Sequence, residues 1–470
     1  MLVPKHLDFE VVTPTYVGGA DASSRKADPD PDSKHKAEEK FEAEEKFLKR
    51  DARMRVRPIV DMWRYWFRAL LGGLIGTDAC ARERIAEKET ALFGGLGEPA
   101  TAARVRVSLA SGHTLRASNK YVVGPAGRNY GAYLGYGLGP RHSGRGEERV
   151  LEEHGRCAIE PSQPPFKVDV ICGDDDWRLL EHVIRIWSLF GGLGARHRRG
   201  FGSIRWSNDG HGQVPRDHAR LKTHLEGAVK RAREAFVERY CNRQWPTTPP
   251  PGDPPFDVVN PDHCVIRLVN QRFTGRQVSG QDEALTAIRH QLRTDPPGTP
   301  PFFLGANGVG WRQRTGAGRA TLPATPKARG GFQFYDGRDH DAVHDARTRR
   351  SGGRVDNIAL GAPIAYPTWD TTIRLLLKDG TELRRPSPLS FRVLKVPPDD
   401  FRVLVVLFKS DLFGAADVSA HVGDWTLGQR KPRNATYSDV GMCAPATAMS
   451  DLEDFVNKCD GDDLDFRGKP

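Results

Sequence analysis

Two stretches of the chain repeat apolar residues at helical spacing. In RPIVDMWRYWFRALLGG, residues 57–73, Ile59, Met62, Trp63, Trp66 and Leu70 share one stripe and Pro58 suits a first turn. This predicts a helix over 57–73, ended by Gly72. In DDDWRLLEHVIRIWSLFGG, residues 174–192, Leu180, Val183, Ile184 and Trp187 recur at i, i+3, i+4 and i+7, with an aspartate at 174–176 as cap and Gly191 as stop. Other segments alternate apolar and polar residues and predict strands: LDFEVVTP (7–14), ARVRVSL (103–109), PFKVDVICG (165–173) and SIRWS (203–207). The order is β-α-β-β-α-β with insertions, the ferredoxin-like arrangement of an antiparallel sheet with two helices on one face. LFGGLG occurs at 92–97 and again at 189–194, but six glycine-rich letters do not make a repeat.

A helix over 217–240 leads into PTTPPPGDPP (246–255), the strongest linker signal in the chain. A second set of elements follows: HCVIRLVN (263–270) as a strand, EALTAIRHQLR (283–293) as a helix, and NIALGAPIAY, TTIRLLLKD, LSFRVLKV and FRVLVVLFK as strands. The expected class is α+β. One domain is expected over 1–240, with a charged insertion after Asp21, and another over 255–470, with a Gly/Arg-rich insertion at about 297–356 and a mobile acidic tail after Ser450.

Charge changes the picture. A formal net charge of +10 favours a polyanionic partner: RNA, DNA or an anionic membrane surface. No apolar run approaches the ~20 residues of a membrane span. The start, MLVPKHLDFE, carries no signal-peptide core, and the seven cysteines form no CxxC pair, so a cytoplasmic protein without a zinc ribbon or disulfide framework is expected.

The candidate chemistry concentrates in GGLGARHRRGFGS, residues 191–203. Phosphate loops of the Walker type run strand, loop, helix, so that the positive end of the helix meets the anion. Here the helix comes first and points its negative end at the loop. There is no GK[ST] and no GxGxxG, so a nucleotide-cleaving P-loop is excluded. Two readings remain. In one, Arg196, His197, Arg198 and Arg199 grip phosphates while Gly191, Gly192, Gly194, Gly200 and Gly202 let another backbone approach. In the other, the segment is a tight helix-to-strand turn with solvated arginines. Arg57, Arg64 and Arg68, on the non-core face of the first helix with Tyr65 and Trp63 nearby, fit strand binding or an ordinary amphipathic helix with Asp61 paired to Arg64 or Arg68.

The glycine loop resembles the glycine-rich signature of the RAMP superfamily of CRISPR-associated proteins. TPTYVGGAD, RPIVDMWRYWFRAL with LFG beyond it, and RRPSPLSFRVLKV extend the resemblance to the family of first RAMP subunits of the Cmr complex, the type III-B RNA-guided effector. The resemblance implies two tandem ferredoxin-like (RRM-like) domains with long loop insertions. It implies a non-catalytic subunit holding the 3′ region of guide RNA and its target RNA, with other RAMP subunits as partners, no cofactor and no membrane. Carried over by position, it assigns RNA contacts to Gly18, Gly19, Arg57, Arg64, Arg68, Gly194, Arg196, His197, Arg198, Arg199 and Gly200.

An endoribonuclease is the competing class. A metal-independent one needs a general base on a 2′-OH, which Asp21 or His197 would supply; a backbone-bonded loop aspartate and an extra polar contact are the plainer readings. His340 and His344, four apart among aspartates in YDGRDHDAVHDAR, have a spacing that would suit a metal on a helix. The flanking glycine and the lack of HExxH favour a solvated acidic turn instead. A structural protein that binds acidic partners is a third class.

Overall fold

A computed structural model describes residues 2–17, 53–95, 100–110, 157–161, 164–210, 214–241, 254–270, 276–278, 280–293, 371–383, 385–411 and 445–467, with short strand pieces between them. The first set of elements is β1 (Leu2–Val11), α1 (Val56–Ile75), α2 (Ala79–Phe93), β2 (Arg106–Leu109), β3 (Phe166–Gly173), α3 (Asp174–Phe190), β4 (Ile204–Trp206) and α4 (His218–Tyr240). Its strands pair in the order β2-β3-β1-β4, all antiparallel, with Leu7 opposite Val168, Val107 opposite Val170 and Val11 opposite Ile204. Counted along the chain, this is second, third, first, fourth: the ferredoxin-like order that the periodicity predicts.

The second set is β5 (Cys264–Val269), α5 (Gln281–Arg293), β6 (Leu389–Val396), β7 (Asp400–Phe408), α6 (Pro445–Lys458) and β8 (Gly461–Asp463). Its sheet runs β6-β7-β5-β8, again antiparallel and again in the same order. A further sheet carries strands 364–366, 371–377, 418–424 and 438–442.

Helices α1, α3 and α4 lie between the two four-stranded sheets. Leu7, Phe9, Val168 and Val170 of the first sheet belong to one core with Trp63, Phe67, Leu180 and Trp187, and so do Ile266, Leu268, Leu404 and Val406 of the second. Phe408 of β7 sets its ring 6.1 Å from Trp66 and 6.5 Å from Tyr65. The far face of the second sheet takes α5 and α6, where Phe391 meets Phe455 at 6.1 Å. A helix segment covered on both sides needs apolar residues beyond a single stripe. Accordingly Leu179, Ile186, Leu189 and Phe190 of α3 are buried beyond the predicted stripe.

Several expectations need correction. Gly72 does not end α1; the helix runs to Ile75 and stops at Gly76, whose φ is 88°. Gly73 serves a close approach instead, since a Cβ there would sit 2.2 Å from the Val259 carbonyl oxygen. No side chain caps α3; Asp174, Asp175 and Asp176 occupy its first turn, where their charge favours the positive end. Helix α2 went unread because charged residues break up its apolar ones, half of which are alanines, although Asp78 caps it by accepting from the Ala81 N–H at 2.7 Å. The region after Ser450 is no mobile tail as far as Arg467. Leu452, Phe455 and Val456 are buried, β8 pairs with β5, and Asp463 holds Arg267 at 2.7 Å.

Candidate nucleic-acid interface

The glycine-rich loop joins α3 to β4 and lies where the two four-stranded sheets come together. Its main chain pairs with β6: the Phe391 N–H donates to the Arg198 carbonyl at 2.9 Å, and the Val393 N–H donates to Ser203 Oγ at 3.1 Å. The backbone that approaches the glycines is the protein's own. A Cβ on Gly194 would lie 2.3 Å from the Tyr16 carbonyl oxygen, and one on Gly202 would lie 1.9 Å from that of Leu193.

Arg198 is committed inside the protein. Its guanidinium donates to Asp257 Oδ2 at 2.8 Å and to the Ser387 carbonyl, and stacks 5.6 Å from the Tyr65 ring. Asp257 also accepts from Tyr65 Oη at 2.7 Å and Ser410 Oγ at 2.9 Å, so one buried carboxylate ties together α1, the loop and the chain beyond β7. Burial and then the charge of Asp257 push the Tyr65 phenol up, leaving it a neutral donor. His197 is also spoken for: Nδ1 lies 2.9 Å from the Gly194 carbonyl. Burial first, then the Arg198 charge, pulls its pKa down to about 4. The fold itself therefore uses Arg198, His197 and Gly200, which the resemblance assigned to RNA. Arg198 has a carboxylate partner, His197 is neutral at pH 7, and Gly200 is buried with the α5 side chains Leu285 and Ile288.

The negative end of α3 is answered from the second sheet. Arg392 of β6, fully buried, donates to the Ser188 carbonyl at 2.6 Å and to the Ile204 carbonyl. No basic residue stands in the last turn of α3, so the cation that its dipole favours comes from a strand two hundred residues away. Burial alone lowers the Arg392 pKa to about 9, so it stays charged at pH 7.

The α1 arginines divide in the same way. Arg64 donates to the Phe93 and Gly94 carbonyls, both at 2.7 Å, and caps α2. Arg68 pairs with Glu89 at 2.8 Å, and Arg64 reaches the same carboxylate. Asp61 takes neither of them; it faces Arg57 at 3.8 Å. Trp63 is buried core. Arg64 and Arg68, which the resemblance assigned to RNA, are thus engaged with α2. Arg57 remains at the surface, with 91 % of its side chain exposed. Arg53 and Arg55, which the sequence reading passed over, are exposed beside it. They flank the start of a 20-residue helix with no side-chain cap and no acid in its first turn. The alternating arginines of RMRVR before a helix start were the available signal.

Asp257, Tyr65, Ser387 and Arg392 were also missed, and nothing local in the sequence marks them. Gly18, Gly19, Asp21, His340 and His344 lie outside the described residues. Among the described residues no group of three or more His, Cys, Asp or Glu is placed to hold a metal ion, and no helix is long and apolar enough to cross a membrane.

Residues 8–205 match the family model of the RAMP superfamily. That stretch includes most of β1, helices α1 to α3 and the whole glycine loop. Among solved structures, Cmr1 from Pyrococcus furiosus in its apo form is 12 % identical, with 98 % of each chain covered and a TM-score of 0.44. A chain of the type III-B Cmr-beta complex, bound to cognate target RNA and AMPPnP in the presence of ssDNA, is 11 % identical, with 96 % of this chain and 98 % of that one covered and a TM-score of 0.44. No curated protein matches the chain.

Proposed function

With residues 8–205 taken as a RAMP-superfamily region, we propose that this chain is a non-catalytic RNA-binding subunit of a type III-B CRISPR effector. In this reading it holds guide RNA and its target RNA, beside other RAMP subunits. The observation that carries the proposal is the RAMP match over the sheet, helices and loop of the first set of elements. The net charge of +10 supports a polyanionic ligand. The exposed Arg53, Arg55 and Arg57 supply a basic surface at the positive end of α1. Phosphate contacts of this kind position a strand without reading its bases, so weak sequence preference is expected.

The endoribonuclease reading has less support. His197 is half-buried, neutral and held by the Gly194 carbonyl, so it is poorly placed to take a proton from a 2′-OH. Two experiments test the proposal together. Tagged full-length chain, expressed with its neighbouring genes, is expected to bring down a short RNA and further basic subunits. Purified protein is expected to leave labelled RNA uncut in EDTA. Recovery of the chain alone, or specific cleavage by it, would contradict the proposal.

A further inference from the structure

Helix α4 lies beyond residues 8–205 and holds none of the positions that the resemblance assigned to RNA. Its buried side carries Leu221, Leu225, Val229, Ala232 and Phe236. On the opposite side Arg220, Thr223, Gly227, Lys230 and Arg231 recur at helical spacing, all exposed or half-buried. Three of these five are cations. Among the described residues, no ion pair or side-chain hydrogen bond holds Arg220, Lys230 or Arg231, and Glu234, one turn on, pairs with none of them. Lys222, to one side, is already matched with Glu226 at 3.9 Å.

The carboxylates nearest this stripe are turned inward. Asp209, after β4, and Glu181 of α3 face Arg185 at 3.4 and 3.7 Å. The Arg185 side chain is 1 % exposed, and its Nη1 and Nη2 have no hydrogen-bond partner among the described residues. Positive charge therefore gathers between α3 and α4. Burial first, then the Arg185 charge, holds His182 below its ordinary range; burial also lowers His224, with Arg231 and Arg185 acting against Asp209. The Arg231 guanidinium lies back across Gly227, where a Cβ would sit 3.0 Å from Nη1. Arg220 and Lys230 stand about 15 Å apart along the axis, at about 1.5 Å per residue, enough for more than one phosphate of an extended strand. The face offers no large apolar anchor of the kind a protein partner uses; the exposed large hydrophobics among the described residues are Leu2 and Ile171, on the first sheet.

We propose that the outer side of α4 is a second RNA surface, where Arg220, Lys230 and Arg231 pair with phosphodiesters of a single strand and Gly227 lets that strand lie close to the helix. The proposal rests on the RNA-binding reading above and adds a place on the molecule to it. Contacts of this kind hold a strand without reading its bases.

The test uses the full-length chain and a labelled, unstructured single-stranded RNA of about 20 nucleotides. Lys230→Gln with Arg231→Gln is expected to lower the slope of log K against log salt by about 1.4, and Arg220→Gln added to the pair to lower it by about 2.1. Tm should stay within about 1 °C, since these side chains hold nothing in the fold. Arg82→Gln with Arg84→Gln removes the same charge from the exposed face of α2 and should leave the slope unchanged. An unchanged slope in the α4 pair, or an equal fall in the α2 pair, overturns the proposal. So does an α4 pair that loses binding to a 20-residue polyglutamate yet keeps its RNA slope, which would mark the face as a site for acidic protein. Arg57→Gln in parallel separates the two claims. If the unaltered chain shows no salt-dependent RNA binding, the functional reading falls and this surface with it. If Arg57→Gln lowers the slope and the α4 pair does not, the α4 surface alone is wrong.

Discussion

The glycine loop and the start of α1 carry similar letters and sit in different surroundings. Both are arginine-rich, and both looked like phosphate sites. In the loop, Arg198 lies between Asp257, Ser387 and Tyr65, and the surrounding main chain pairs with β6. At the start of α1, Arg53, Arg55 and Arg57 stand at the surface with no acid in the helix's first turn. The lesson is that a guanidinium stays open to a ligand only where the fold has not enclosed it among its own carboxylates and carbonyls; Arg57 faces Asp61 at 3.8 Å yet keeps 91 % of its side chain exposed. Composition cannot tell the two cases apart; the position of the second sheet can.

That contrast breaks most visibly at Arg198. Arg198→Ala leaves the buried Asp257 carboxylate without its cation, and a loss of about 3–5 kcal/mol in urea unfolding is expected. Asp257→Ala added to it should recover part of that loss, the coupling read from a double-mutant cycle. A loss below about 0.5 kcal/mol for the single variant would place Arg198 among ordinary surface residues and undo the contrast. Arg64 comes next. Its removal uncaps α2 and strips one partner from Glu89, which should cost about 2 kcal/mol while RNA affinity holds. A drop in affinity without a drop in stability would return Arg64 to the interface.

His197 sharpens the picture with a smaller, pH-dependent effect. Its folded pKa of about 4 lies below the ordinary value of 6.5, so between those values the unfolded chain binds a proton that the folded chain does not. Stability is therefore fully present above about pH 6.5 and falls as pH drops toward 4, by up to one proton's worth of slope. His197→Gln should flatten that part of the stability–pH curve. An unaltered curve would show that the ring is solvated rather than enclosed.

Much of the architecture was readable from periodicity. The stripe of α1, the alternation in 7–14 and 165–173, and the order of elements were enough for the ferredoxin-like pattern, and the second set of strands repeats it. The lost detail concerns what covers what. A single stripe on α3 predicts one buried side, yet Ile186, Leu189 and Phe190 beside Val183, Ile184 and Trp187 leave its C-terminal half buried on every side. Read that way, IRIWSLF announces a second layer above it. The partners of the glycine loop, Phe391, Arg392 and Asp257, are separated from it by the linker or by most of the second half of the chain. No local pattern connects them. Arg57 was legible because exposure at a helix start follows from local sequence, whereas the fates of Arg64 and Arg68 depend on a helix whose charge concealed it.

The central claim is that RNA is met at the exposed arginines before and at the start of α1, and not by Arg198. The most direct measurement is the salt dependence of single-stranded RNA binding by the full-length chain carrying Arg53→Gln and Arg57→Gln. The account predicts a slope of log K against log salt reduced by about 1.4, two phosphate contacts, with unfolding stability within about 0.5 kcal/mol of the unaltered protein. An unchanged slope in that variant would contradict it.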